Sequence, residues 1–379
     1  MRILLVGVST RALAESALRA GFDAVAVDYF GDLDQSRLIP SLAVGRDFGL
    51  PFDEASICKV CSLLDYDGVI YTGGADIKPA LIDLISKDKV LFGNDSKVLR
   101  DVRDPILLRE ACRLGEIEFP VTLVSSEAKA LDKESKWLVK PIYGGSGFGI
   151  GFYEGGEVGE DFYVQQFVSG LPASASFLSD GRTCQLLGMT RQIIGDESLG
   201  GSGFKWCGNV YPLFSTNANF VDIMNKISGW GTALTGHFGL KGLFGIDFVI
   251  DEGGRPFLVE INPRYSASME LIEHDLNVSF TSLHVSACLG KMAKFAVQST
   301  QGFTAKGIVY AKDDVVTPDT SKWLGLHSDV PFPNEHVAKG FPICTVFGRG
   351  QTQDDCIADL YRKANEVYRE LKEEAYHER

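Results

Sequence analysis

The sequence predicts a protein of mixed α/β and α+β class: a parallel α/β domain at the N-terminus, then two α+β lobes and a small C-terminal α+β subdomain. Three observations predict this class. The first quarter of the 379-residue chain alternates short apolar runs with helical patterns, strand-rich segments with glycine loops follow, and the last helix carries one apolar stripe. We place the units at residues 1–95, 96–170, 171–299 and 300–379.

The N-terminal unit is predicted to hold a parallel sheet, because strands that alternate with helices pair in parallel. Its apolar runs are Ile3–Val6, Ala24–Val27, Gly68–Tyr71 and Val90–Phe92. Asp28 lies about 20 residues after the first turn, where a dinucleotide-binding fold carries its ribose ligand. The turn itself, which begins at Gly7, lacks the glycines of GxGxxG. An NAD-dependent oxidoreductase built on this unit is kept as an alternative.

Charge and composition narrow the range of partners. The formal net charge is −13, which disfavours nucleic acid because phosphate binding needs a basic face. No apolar run approaches the ~20 residues of a membrane helix, so no membrane partner is expected. Eight cysteines without a secretory signal predict reduced thiols and a cytoplasmic location. The lone CxxC motif, Cys58 to Cys61, lies in a helical pattern, which favours a structural role over redox or zinc chemistry.

Two strands, Leu243–Ile250 and Pro256–Ile261, are predicted to form a hairpin around the four-residue loop that ends at Arg255. In this register one face is wholly apolar and must be core. The facing pairs on this apolar face are Ile250–Phe257, Phe248–Val259 and Ile246–Ile261, and Asp251 faces Pro256 next to the loop. On the other face Asp247 lies directly opposite Glu260, and Asn262 follows on the same side.

Directly opposed carboxylates repel, and a shared proton or a bound cation must relieve the repulsion. Asp247, Glu260 and the Asn262 amide are hard oxygen ligands that suit Mg²⁺ or Mn²⁺. The alternative is a solvent-facing pair neutralised by a neighbouring cation such as Arg264. The metal site also depends on the register, because a one-residue slip separates the pair.

A glycine-rich loop, Tyr143–Gly149, follows the strand that ends at Lys140. Glycines allow successive backbone N–H groups to converge on an anion, and a lysine adds a positive charge for a phosphate. The loop runs from strand to strand and lacks the GK[ST] of a Walker A loop. Its alternative is a mobile surface hairpin loop.

The order of these features resembles the ATP-grasp superfamily, which includes biotin carboxylase and D-alanine–D-alanine ligase. A lysine with a glycine loop comes first, then a strand that ends in Gln-Gln-Phe-Val, then the acidic hairpin that ends in Glu-Ile-Asn-Pro-Arg. The most specific matches are Leu258–Arg264 and Val139–Gly149. The resemblance covers most of the chain. It implies an ATP-grasp fold of two lobes between an N-terminal α/β domain and the C-terminal subdomain of the carboxylase-like branch.

The resemblance implies a nucleotide site for ATP. Lys140 would contact a phosphate and the adenine edge. The residues closing over the β- and γ-phosphates would be Gly144, Gly145, Ser146 and Gly147. The hinge between the lobes would be Gln165, Gln166, Phe167 and Val168. The backbone of Gln166 and Val168 would read the adenine.

The resemblance also implies a reaction centre at the end of the hairpin. Asp247, Glu260 and Asn262 would hold one or two Mg²⁺ ions, and Arg264 would stabilise an acyl-phosphate and its transition state. Ser266 and Ser268 lie just beyond Arg264. They would face an acceptor, although small residues chosen for packing are the favoured interpretation.

The chain departs from the superfamily at the start of the first lobe. The usual lysine there is replaced by Val102-Arg103-Asp104-Pro105, within a predicted helix Arg100–Leu114 that Asp104 and Pro105 are suited to begin. Arg103 is the candidate substitute, because a guanidinium binds phosphate well.

The resemblance implies a ligase. A small-molecule carboxylate would attack the γ-phosphate of ATP, and a nucleophile, most often an amine, would then displace phosphate. A homodimer is compatible with this expectation. Another alternative is a non-catalytic ATP-binding protein, against which the set Asp247, Glu260, Asn262 and Arg264 argues. Phosphoryl transfer to a non-carboxylate, as in a kinase, also remains open.

Overall fold

The computed structural model describes residues 1–131, 134–214, 218–293 and 302–377. These residues form a parallel five-stranded sheet, a four-stranded sheet, a seven-stranded sheet and a two-stranded ribbon. The predicted mixed α/β and α+β class is confirmed. In the part of the chain described here, no helix combines the length and the apolar character that a membrane crossing requires.

The first sheet is parallel, and its strand order is β3-β2-β1-β4-β5. The strands are β1 (Arg2–Val6), β2 (Asp23–Asp28), β3 (Ser41–Ala43), β4 (Gly68–Tyr71) and β5 (Val90–Leu91). The helices are α1 (Arg11–Arg19), α2 (Leu33–Ser36), α3 (Glu54–Cys61) and α4 (Pro79–Ile85). The four predicted strands are found, and the three-residue strand β3 was missed because it is too short for an apolar pattern.

The order of this sheet reverses between β1 and β4, which creates a crevice at their carboxyl ends. The two ends are closely packed, since a Cβ at Gly7 would lie 1.9 Å from Thr72 Oγ1. Glycine is therefore required at position 7 by close packing rather than by a bound pyrophosphate.

The second sheet is antiparallel, in the order β6-β9-β7-β8. Its strands are β6 (Thr122–Val124), β7 (Trp137–Pro141), β8 (Gly151–Phe152) and β9 (Phe162–Gln166). Two helices precede it, α5 (Ser96–Asp101) and α6 (Pro105–Leu114), so the predicted helix Arg100–Leu114 is wrong at its start and correct at its end. The predicted cap is confirmed, because Asp104 accepts the N–H groups of Ile106 and Leu107 at 2.8 and 3.1 Å and Pro105 is the first residue of α6.

The third sheet has seven strands in the order β14-β13-β10-β11-β12-β15-β18, and its neighbours are antiparallel. Its strands are β10 (Gly170–Asp180), β11 (Cys184–Ile194), β12 (Trp206–Tyr211), β13 (Lys241–Asp251), β14 (Pro256–Asn262), β15 (Phe303–Tyr310) and β18 (Pro342–Gly350). The ribbon is β16 (Val315–Val316) and β17 (His336–Val337). Strands on both sides of the boundary proposed at 299/300 share this sheet, and all the proposed boundaries stay predictions.

The remaining helices cover the large sheet. They are α7 (Ala218–Phe238), α8 (Met269–Leu276), α9 (Phe280–Cys288) and α10 (Gln353–His377). Helix α10 buries Leu360, Ala364, Val367 and Leu371, four residues of the predicted apolar stripe. Helix α7 packs Ile227, Trp230 and Leu234 into the core that contains the stacked rings of Phe177 and Phe244.

Candidate active site

A cleft of about 1400 Å³ lies between the three sheets. The carboxyl ends of β1 and β4 form one wall, the glycine loop and β9 another, and the β13–β14 hairpin the third. All the residues predicted from the sequence line this cleft: Arg103, Lys140, Gly144, Gly145, Ser146, Gly147, Gln165, Gln166, Phe167, Val168, Asp247, Glu260, Asn262 and Arg264. The fold thus brings them together, and their binding roles stay predictions.

The hairpin places Asp247 directly opposite Glu260, as the register predicts, and Ile246 opposite Ile261. Nearer to the loop the predicted register is wrong. The structure pairs Phe248 with Leu258, Val249 with Phe257 and Ile250 with Pro256. The predicted pairs Phe248–Val259, Ile250–Phe257 and Asp251–Pro256 therefore do not form.

A β-bulge at Val259 causes the difference. Two residues of β14 stand where β13 offers one, between Asp247 and Phe248. Beside the bulge, the N–H of Leu258 donates to the carbonyl of Glu118 at 2.8 Å, and the Leu258 side chain is fully buried. The bulge therefore turns Leu258 into the core and leaves Glu260 opposite Asp247.

Asp247 is half-buried, and both oxygens of its carboxylate accept hydrogen bonds. Ser174 donates its hydroxyl to Oδ1 at 2.6 Å, and the Asn262 amide donates to Oδ2 at 3.0 Å. Gln192 in turn donates to the Ser174 oxygen at 2.7 Å, which orients that hydroxyl toward Asp247. Burial, and then the charge of Glu260, raise the pKa of Asp247 to about 8.

The pKa of Glu260 is shifted in the opposite direction, below its usual value. Burial alone would raise its pKa, but the positive charges of Lys140, Arg103 and Arg264 and a hydrogen bond from Asp247 lower it. The two carboxyl groups therefore titrate as an interacting pair, and the raised pKa of Asp247 favours one proton shared between them. A divalent cation would replace that proton, so this donor set fits Mg²⁺.

Asn262 links the carboxylate pair to Arg264. Its amide nitrogen faces Asp247 Oδ2 and lies 3.4 Å from Glu260 Oε1, and its amide oxygen accepts from Arg264 Nη2 at 3.1 Å. The predicted ligation through the amide oxygen therefore requires this amide to turn over, so that its oxygen points to the carboxylates.

Arg264 is held by Asp76, a residue that the sequence analysis missed. Arg264 Nε donates to Asp76 Oδ2 at 3.2 Å, and Arg103 Nη2 donates to the same oxygen at 2.6 Å. Burial raises the pKa of Asp76, but the two guanidinium charges outweigh it and keep the pKa below its usual value. A Cβ at Gly73 would lie 3.4 Å from the Arg264 guanidinium carbon, so the chain before Asp76 also packs against this side chain. The only sequence signal was the position of Asp76 soon after the end of β4.

Arg103 connects this ion pair with the glycine loop. Its Nη1 donates to the carbonyl of Gly144 at 3.2 Å. Its Nε is buried and has no hydrogen-bond partner among the described residues. A buried donor without a partner is costly, and an anionic ligand in the cleft would satisfy it.

Lys140 is almost fully buried beneath the loop. Its ammonium group donates to Gln165 Oε1 at 3.1 Å, and Gln165 donates to Thr122 Oγ1 at 3.0 Å. This chain of side chains fixes Lys140 on the four-stranded sheet, where its charge also acts on Glu260.

The glycine loop connects β7 and β8 and packs against the segment before β12. Gly147 has φ +79°, and a Cβ there would lie 1.9 Å from the carbonyl oxygen of Phe204. The N–H of Trp206 donates to the carbonyl of Ser146 at 3.1 Å. Around Gly145, by contrast, a Cβ would meet no atom within 4 Å. The loop therefore packs against the segment before β12 at Gly147, whereas the side-chain position of Gly145 faces open space.

The predicted hinge joins the two antiparallel sheets, since β9 ends at Gln166 and β10 begins at Gly170. The N–H groups of Gln166 and Phe167 donate to the carbonyls of Val121 and Lys136, both at 2.8 Å. These bonds fix the backbone of Gln166 at the mouth of the cleft. Adenine recognition by Gln166 and Val168 stays a prediction.

The acidic residue that supported the NAD alternative faces inward. Asp28 is fully buried, and it accepts from the Gly31 N–H at 2.7 Å, from Thr10 Oγ1 at 3.0 Å and from Gln35 Nε2 at 2.9 Å. Burial raises its pKa to about 6. Asp28 stabilises the turns at this end of the sheet through these hydrogen bonds. It is not among the residues that line the cleft.

The two serines beyond Arg264 line the cleft, and their hydroxyls lie 3.1 Å apart. The CxxC cysteines lie on helix α3 as expected, and burial raises the pKa of both the Cys58 and Cys61 thiols. A raised pKa keeps these thiols protonated, which agrees with a structural role.

Residues 107–268 match the family model described as an ATP-grasp domain, which confirms the predicted superfamily. Over its whole length the chain is similar to an uncharacterized protein of Methanocaldococcus jannaschii. The two are 25% identical, and the match covers 99% of this chain and 94% of that protein.

Three solved structures show the same fold. One is the biotin carboxylase domain of Hydrogenobacter thermophilus 2-oxoglutarate carboxylase with MgADP, ADP and bicarbonate (TM-score 0.71, 13% identity, 94% of this chain and 88% of that chain). Another is the L-amino acid ligase of Bacillus licheniformis (TM-score 0.68, 15% identity, 97% of this chain and 97% of that chain). The third is N5-carboxyaminoimidazole synthetase of Staphylococcus aureus with ADP (TM-score 0.69, 13% identity, 96% of this chain and 96% of that chain). At such low identity these likenesses concern the fold alone.

Proposed function

We propose that this chain, whose residues 107–268 match the ATP-grasp domain model, is an ATP- and Mg²⁺-dependent ligase that activates a carboxylate as an acyl-phosphate and joins it to an amine. One observation carries the proposal. The opposed pair Asp247 and Glu260 faces the same cleft as three cationic side chains, Lys140, Arg103 and Arg264. The two carboxyl groups can bind a metal ion, and the three cationic side chains beside them can contact phosphates. The arrangement therefore suits a metal–phosphate complex.

ATP would lie between the four-stranded sheet and the hairpin. The buried ammonium of Lys140 and the unpaired Nε of Arg103 would contact its phosphates. The loop from Gly144 to Gly147 would cover the phosphates with its backbone N–H groups. The adenine would lie at the hinge around Gln166.

Asp247, Glu260 and, after its amide turns, Asn262 would hold Mg²⁺ or Mn²⁺. The bound ion would supply charge neutralisation for the transferring phosphoryl group. Binding of the ion would displace the proton shared by the pair, because a metal ligand must be deprotonated.

The reaction would proceed in two displacements. A carboxylate oxygen attacks the γ-phosphorus, the bond from that phosphorus to the β–γ bridging oxygen breaks, and ADP leaves. The amine nitrogen then attacks the acyl carbon, the bond from carbon to the phosphate oxygen breaks, and phosphate leaves as the nitrogen loses a proton to water. Arg264, aimed by Asp76, would neutralise the charge on the acyl-phosphate. The seated glycine loop would exclude the water that otherwise hydrolyses this intermediate.

The names of the similar structures support the choice of substrates for a test. One acts as an L-amino acid ligase, and another is bound to bicarbonate. We therefore propose to incubate the protein with Mg²⁺, ATP and a panel of carboxylates that includes bicarbonate and amino acids, with hydroxylamine as the trapping nucleophile. An acyl-phosphate would yield a hydroxamate together with ADP and phosphate.

The matched control is Glu260→Gln, which removes one metal ligand and keeps the shape of the side chain. It should form no hydroxamate. Release of AMP and pyrophosphate would exclude the acyl-phosphate. Binding of ATP without turnover of any carboxylate would favour a non-catalytic ATP-binding protein, and tight binding of NADH would favour the oxidoreductase alternative.

A further inference from the structure

Beyond Arg264 the cleft continues past Ser266 and Ser268 to a group of buried and half-buried acids from three parts of the chain. We call this group the acidic end of the cleft. It consists of Asp28, Asp32, Asp34, Glu270 and Asp329. Asp32 and Asp329 line the cleft itself.

The basic groups at the acidic end are already paired. Arg11 is fully buried and donates to both oxygens of Glu270 and, at 3.1 Å each, to both oxygens of Asp329. Lys306 donates to Glu270 as well. The five carboxyl groups named here therefore outnumber the two basic groups, Arg11 and Lys306.

Most of the carboxylate oxygens here are also occupied. Asp34 accepts from the N–H groups of Asp329 and Val330 at 2.9 and 3.1 Å, and Asp28 holds its three donors as described above. Asp32 differs. Its side chain is buried at 6% exposure, and its Oδ2 has no hydrogen-bond partner among the described residues. A buried carboxylate oxygen without a donor indicates that a ligand supplies one.

Two features indicate what kind of donor fits. The unpartnered oxygen of Asp32 suits an N–H of a cationic nitrogen, which is a strong partner for a carboxylate. The residues around it supply the second feature. Tyr29 and Phe30 line the same part of the cleft, and aromatic rings attract a cationic nitrogen.

We propose that Asp32 binds a protonated nitrogen of the second substrate, so that the acceptor is a cationic amine. This inference rests on the proposed function, because it takes the acidic end as the acceptor side of the same cleft. Burial and the charges of Asp329, Asp28 and Asp34 also raise the pKa of Asp32, and a bound cation would relieve that repulsion.

Calorimetric titration tests the proposal. MgADP is titrated first, and amines are then titrated into the MgADP complex at neutral pH. The probes are 1,4-diaminobutane and n-butylamine, and their uncharged counterparts are 1,4-butanediol and n-butanol. We expect the amines to bind and the alcohols not to bind. Asp32→Asn should weaken amine binding at least tenfold and leave MgADP binding unchanged.

The control variant is Asp83→Asn, which removes the same charge from an exposed position of helix α4. It should bind both amines like the wild type. Asparagine has the shape of aspartate and removes a charge from a crowded acidic region, so Asp32→Asn should unfold at the wild-type temperature or above. Equal binding of alcohols and amines, equal binding by wild type and Asp32→Asn, or no amine binding to the MgADP complex would overturn the proposal. Failure of MgADP to bind would instead contradict the proposed function.

Discussion

Asp76, at the carboxyl end of the first parallel sheet, binds Arg264, at the end of the acidic hairpin, through a 3.2 Å contact between Oδ2 and Nε. The two residues are 188 positions apart in the chain. The same oxygen accepts from Arg103. One buried carboxylate therefore positions both the cation expected at the acyl-phosphate and the cation expected at the nucleotide.

Replacing Asp76 by asparagine should destabilise the protein. The change leaves two largely buried guanidinium groups without their shared counter-ion, and breaking a buried ion pair in this way costs about 3–5 kcal/mol. Urea unfolding of wild type and variant measures the loss. Asp83→Asn, at an exposed site, should lose less than ~0.5 kcal/mol. Equal stability of the Asp76 variant and the wild type would show that Asp76 does not hold the two arginines.

Replacing Glu260 by glutamine should abolish turnover without unfolding the protein. The substitution removes the charge that the shared proton or a cation balances, so Mg²⁺ would lose a ligand. ADP release should fall at least ~100-fold, a loss of about 2.7 kcal/mol of transition-state stabilisation. The circular dichroism spectrum should be unchanged. Near-normal ATP-dependent activity in this variant would contradict the metal assignment.

Replacing Arg103 by alanine should raise the KM for ATP about tenfold, because hydrogen bonds to charged groups contribute ~1.5–3 kcal/mol. Arg103→Lys should recover part of the effect through its charge. The control is Arg113→Ala, an exposed position on helix α6. An unchanged KM would mean that Arg103 serves only the ion pair with Asp76.

Alanine at position 147 should disturb the glycine loop, whereas alanine at position 145 should not. The new Cβ at Gly147 would overlap the Phe204 carbonyl and strain a backbone with φ +79°, but Gly145 has open space around it. We expect a higher KM for ATP and faster proteolysis of the loop in Gly147→Ala only. Equal KM values and equal proteolysis of the two variants would show that the contact between Gly147 and the Phe204 carbonyl does not fix the conformation of the loop.

Binding of Mg²⁺ together with nucleotide should release about one proton at pH 7. Asp247 has its pKa raised to about 8 and holds the shared proton at that pH, and the ion displaces it. The apparent Mg²⁺ affinity should therefore rise with pH up to about 8 and then level off. Calorimetry in buffers of different ionisation enthalpy counts the protons. Asp247→Asn has no such proton and should release none.

The same pKa affects stability in the absence of the ion. The unfolded Asp247 has its usual pKa of 3.8, so between about pH 5 and 8 this carboxyl group holds a proton in the native protein that it lacks in the unfolded chain. The contribution of Asp247 to the free energy of unfolding should therefore fall as pH rises through this window, and Mg²⁺ with nucleotide should oppose the fall. Thermal unfolding across this pH range, with and without the ion, measures both effects.

The sequence by itself determined the features that neighbouring residues encode. Alternation of apolar residues and the composition of the turns specify the strands of the first sheet, the hairpin and the glycine loop after Lys140, because side-chain direction and turn geometry are local properties. The opposition of Asp247 and Glu260 followed from those rules. The order of the motifs was enough to identify the superfamily.

Tertiary structure alone decided what depends on distant partners. The bulge at Val259 accompanies the burial of Leu258 and its bond to Glu118, which no local pattern encodes. The same holds for the contacts from Asp76 to Arg103 and Arg264. Such features form where separately folded segments meet, and their energies arise from burial and charge that exist only after the chain has packed.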